Sequence, residues 1–112
     1  MWARMRHWLR QRRRPPRRTV TAEVMTALVD INMLSLNITE AQWLLRHVAP
    51  LTDAETQTIT RFLEAAAACL AETPPLSAPA DQWHALQARA RALNAEFTRL
   101  RDRVTGGDDR AP

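Results

Sequence analysis

Lysine and tyrosine are absent from this 112-residue chain, which holds one cysteine, two glycines and two phenylalanines. With Cys69 alone, neither an intrachain disulfide framework nor a multi-cysteine zinc site can form. The two glycines are adjacent, Gly106 and Gly107, so no glycine-rich loop is available to cradle a phosphate. No apolar run reaches the roughly 18 residues that a bilayer-spanning helix requires. The N-terminal stretch lacks the apolar centre of a secretory signal, and the expected compartment is the cytoplasm. The length suits one domain and is too short for a large α/β enzyme fold.

What the chain has in quantity is arginine: all 16 of its basic residues, set against 12 acids. The formal net charge of +4 conceals a partition. Residues 1–18 carry Arg4, Arg6, Arg10, Arg12, Arg13, Arg14, Arg17 and Arg18 and no acid, a charge of about +8. The remainder holds the other eight Arg and every acid, leaving about −4. The chain reads as a basic arm on a mildly acidic body. Trp2, Met5 and Leu9 follow helical spacing within the arm, with Trp8 beside them, so a short basic amphipathic helix or a flexible segment fits residues 1–18. Pro15-Pro16 marks the boundary to the body.

The body divides into three helical patterns. Thr19 or Thr21 can cap the first, with Glu23 in its opening turn. Val24, Leu28, Ile31, Leu34, Ile38, Ala41, Leu45 and Val48 advance by threes and fours, predicting one helix over about 20–48 that ends before Pro50. A capping box at Thr39–Gln42 and an Ile38/Trp43 staple raise the alternative of a break or kink near Asn37. Thr52 and Glu55 form a second capping box, followed by Thr56, Ile59, Leu63, Ala66 and Leu70 at helical spacing, with Phe62 and Cys69 alongside. Thr73-Pro74-Pro75 ends that helix. Beyond Ser77-Ala78-Pro79, Trp83, Leu86, Ala90, Leu93, Phe97, Leu100 and Val104 repeat 3,4 without a miss, placing Leu86, Leu93 and Leu100 at heptad d positions. Gly106 suits the C-terminal cap. Three stripes that cannot bury themselves alone predict an all-α fold, an antiparallel three-helix bundle over 19–105, with a disordered tail at 106–112. The heptads of the last helix also fit a homodimeric coiled coil. Trp83 and Phe97 at a positions are bulky for a two-stranded seam, which favours the intramolecular bundle, so the chain is expected to be a monomer or a helical homodimer.

Catalytic and metal chemistry find little support. His47 and His84 would sit near one end of an up-down-up bundle, but two histidines do not complete a metal site. Cys69 lacks a neighbouring base or cation in sequence and behaves as a small core residue. The Asp53/Glu55 and Asp108/Asp109 carboxylates are explained by a cap and a tail. No cofactor is expected.

Residues 34–55, through Leu36, Thr39, Gln42-Trp43, Leu45, Arg46-His47 and Leu51-Thr52, resemble the opening of the winged-helix domain of MarR-type regulators. That family continues into a recognition helix and a wing. Here an Ala-rich helix and Pro-Pro follow, so the docking element is missing and the resemblance is set aside. More broadly, the Leu44-Leu45-Arg46-His47 segment, the capped second helix and the Ala/Arg-rich third helix resemble uncharacterised small helical proteins of high-GC actinobacteria and their plasmids or phages. This resemblance implies no activity.

The leading functional expectation is a small non-catalytic interaction or adaptor protein. It would meet a protein partner through a helix face, while the Arg arm attracts a polyanion. The alternative is a DNA-binding protein in which the arm and Arg89, Arg91, Arg99, Arg101 and Arg103 of the last helix form one surface. A third class is a peripheral membrane protein, with Trp2 and Trp8 at an anionic lipid surface or, on nucleic acid, stacked on bases. Two plainer readings of the arm remain: a solvated tail, or a high-GC stretch translated from a start placed too far upstream.

Overall fold

A computed structural model describes residues 21–106; the arm at 1–18 and the tail beyond Gly106 lie outside the described residues. The described chain is all-α: α1 (Ala22–His47), α2 (Asp53–Ala71) and α3 (Ala80–Val104), each packing against both others. Among the described residues there is no strand, and no helix is long and apolar enough to cross a membrane.

The helix boundaries follow local chemistry. The Thr21 hydroxyl accepts from the Val24 amide, and Glu23 sits in the first turn of α1. The box at α2 is reciprocal: the Glu55 amide donates to Thr52 Oγ1 at 3.0 Å, and the Thr52 amide donates to Glu55 Oε1 at 2.9 Å. α3 follows Pro79, without a side-chain cap, and ends before Gly106, whose φ of 79° suits a residue lacking Cβ.

The helix senses can be read from cross-helix contacts. Asp30 meets Gln87 and Arg91, Asn37 meets Asn94, and Glu40 meets Arg101, so α1 and α3 run the same way. Phe62 stacks on Phe97 and Glu72 pairs with Arg89, so α2 runs against α3. His47 therefore ends α1 at one pole of the bundle. His84 lies in the opening turns of α3 at the other pole, sharing a shallow depression with Ala22, Glu23 and Thr26. The expectation that the two histidines share an end is corrected: with α2 as the return stroke, the end of one parallel helix is remote from the start of the other.

The core is a single cluster centred on Trp83, Phe62, Phe97, Leu34, Leu44, Ile59 and Leu100. Complete burial of each large apolar side chain contributes about 1.5–3 kcal/mol before chain entropy is counted. The pattern of α3 holds, with Trp83, Leu86, Ala90, Phe97 and Leu100 buried against the other helices and Leu93 and Val104 half-buried. The core lines of the other two helices are rotated from the sequence reading. In α2, Phe62 and Cys69 are buried, while Leu63 and Leu70 lie at the margin. In α1, the buried line is Val24, Ala27, Ile31, Leu34, Asn37, Ala41 and Leu44, and Leu28, Ile38 and Leu45 flank it.

No break occurs at Asn37. α1 passes through it, and the Thr39 hydroxyl donates back to the Ser35 carbonyl at 3.3 Å instead of capping a new helix. Asn37 faces inward because α3 supplies a partner: its Nδ2 donates to Asn94 Oδ1 at 2.8 Å, and Asn94 Nδ2 donates to the Asp30 carbonyl at 3.1 Å. A buried amide pair of this kind is satisfied in one alignment of two helices and unsatisfied in its neighbours, so it sets their register.

Candidate functional site

Three of the five α3 arginines proposed as one basic surface are committed to neighbouring carboxylates. Arg91 Nε donates to Asp30 Oδ2 at 2.9 Å, beside Gln87 Nε2 on the same oxygen. Arg101 Nη1 donates to Glu40 Oε1 at 3.3 Å and lies over the Phe97 ring, 5.8 Å from its centre. Arg89 pairs with Glu72 at the end of α2. Arg91 and Arg101 thus turn toward α1, and Arg89 toward α2. Arg99 and Arg103 are exposed and have no carboxylate partner among the described residues. Of the five α3 arginines, three are thus ion-paired at the surface and two are not. Spacing along the chain suggests one surface, but a helix turns successive arginines to different neighbours. Arg4, Arg6, Arg10, Arg12, Arg13, Arg14, Arg17 and Arg18, with Trp2 and Trp8, lie outside the described residues.

Catalytic groups do not converge either. Cys69 is fully buried, and burial pushes its thiol upward from 9.0; Arg89 pulls it back, and Glu72 adds to the rise. That is the opposite of the lowered value an activated nucleophile needs. No group of three His, Cys, Asp or Glu side chains suited to a metal ion occurs among the described residues. The Trp83 indole N–H is buried without a hydrogen-bond partner among them.

The feature that stands apart is a second apolar face on α1. Met25, Val29, Met33, Leu36 and Trp43 are spaced by four, four, three and seven residues and share one side of the helix. They are 46–65% exposed and lie on the side turned away from the buried line. Trp43 is extended by His47, whose ring stacks on it at 4.8 Å while His47 Nδ1 lies 3.2 Å from the Trp43 carbonyl oxygen. Together these side chains present on the order of 500 Å² of apolar surface, at the upper end of what a monomer leaves open. The two carboxylates nearest the stripe, Asp30 and Glu40, turn to α3 and are held there by Arg91 and Arg101. Glu40 falls within the stripe, between Leu36 and Trp43, with its carboxylate paired to Arg101.

Sequence reading missed this face. Its signal was present: the apolar residues of α1 satisfy two helical phases at once, one occupied by the core and one left over. Reading a single stripe blended the two.

The fold and surface define a small all-α protein with one helix apolar on two sides. In comparison with known proteins, no family model, no curated protein and no solved structure matches the chain.

Proposed function

We propose that the protein is a non-catalytic helical interaction protein of the cytoplasm that docks a macromolecular partner through the outer face of α1. The carrying observation is the exposed Met25–Val29–Met33–Leu36–Trp43 stripe opposite the core. Methionine adapts its shape to a partner surface, and a half-exposed tryptophan is the residue type that most often dominates binding energy. A photo-crosslinking residue introduced at position 36, in cells, should join the chain to protein. The same residue at Glu64, an exposed site on α2, should not. Equal, background-level capture at both positions would remove the reading.

The charge partition supports a second reading, DNA binding by the Arg arm. With Arg89, Arg91 and Arg101 held by carboxylates, its α3 contribution falls to Arg99 and Arg103. Eight arm arginines on phosphate would give a steep loss of duplex affinity with salt. A mobility shift that persists at physiological salt supports this reading, and its absence at low salt removes it. A blue shift of Trp2 and Trp8 fluorescence on anionic but not neutral vesicles would instead favour the membrane surface.

A further inference from the structure

We draw no further inference here: the strongest candidate, the exposed apolar face of α1 that runs from Met25 to Trp43, belongs to the docking surface already described, and nothing in the structure shows what covers it.

Discussion

Replacing Asn37 and Asn94 by leucine, singly and together, tests whether an amide pair aligns α1 with α3. Asn37 is 7% exposed, and its Nδ2 donates to Asn94 Oδ1 at 2.8 Å. In Asn37→Leu the bond is lost and Asn94 Oδ1 is left without its donor. An orphaned buried polar atom costs about 1–3 kcal/mol. Asn94 is half-buried, so water can serve its carbonyl in part, and the lower portion of that range, about 1–2 kcal/mol, applies. In Asn94→Leu the Asn37 amide is stranded in the more enclosed position, and the contact of Asn94 Nδ2 with the Asp30 carbonyl at 3.1 Å is lost as well. That variant should be destabilised by about 2–3 kcal/mol. With both residues leucine there is no orphan, and the double variant should lie near wild type or above it. The resulting coupling, about 3–5 kcal/mol, is read by urea denaturation followed at 222 nm. Additivity of the two single effects within about 0.5 kcal/mol would refute the pairing. Should the double variant keep its stability but give broadened amide resonances, the pair supplies alignment more than energy.

Three further outcomes follow from the fold. Thr52→Ala removes the acceptor for the Glu55 amide and should cost about 1 kcal/mol, lowering Tm by roughly 5 °C in a thermal melt; no change would deny the capping box any energetic role. Phe97→Ala empties the centre of the core, where Phe97 stacks on Phe62 at 4.9 Å, and should cost about 3–5 kcal/mol, enough to leave a sizeable unfolded fraction in urea-free buffer. Burial raises the Cys69 thiol in the folded chain above 9.0, so on alkalinisation the unfolded chain ionises first and stability falls as pH rises past that value. Cys69→Ala should flatten this decline in denaturation midpoints on the alkaline side, and an equal slope in both proteins would contradict the assignment.

Much of the architecture was legible from residues alone. Thr21, Thr52 and Gly106 mark helix ends by chemistry that acts within one turn, so no tertiary knowledge was required. α3 declared its buried face because its other positions are mostly Ala, Arg and small polar residues, leaving one phase for the apolar set. α1 did not, because apolar residues occupy both of its sides and a period of 3.6 cannot say which side the core will take. The choice rests on facing groups in other helices, Asn94 opposite Asn37 above all. The carboxylates that engage Arg89, Arg91 and Arg101 come from 17 or 61 residues away along the chain, beyond any local pattern.

The seam between α1 and α3 joins residues 57–64 positions apart, with the whole of α2 enclosed in the loop. Closing such a loop costs about 3–4 kcal/mol in chain entropy, which no local turn offsets in advance. During synthesis α1 is the first complete of the three described helices, and its contacts are not finished until α3 is made. Until the chain has been made past Asn94, Asn37 has no amide to meet and Asp30 lacks Arg91. For that interval the part of α1 that α3 covers is open along with its outer face. The nascent chain is therefore most exposed to wrong association after α2 has emerged and before α3 has.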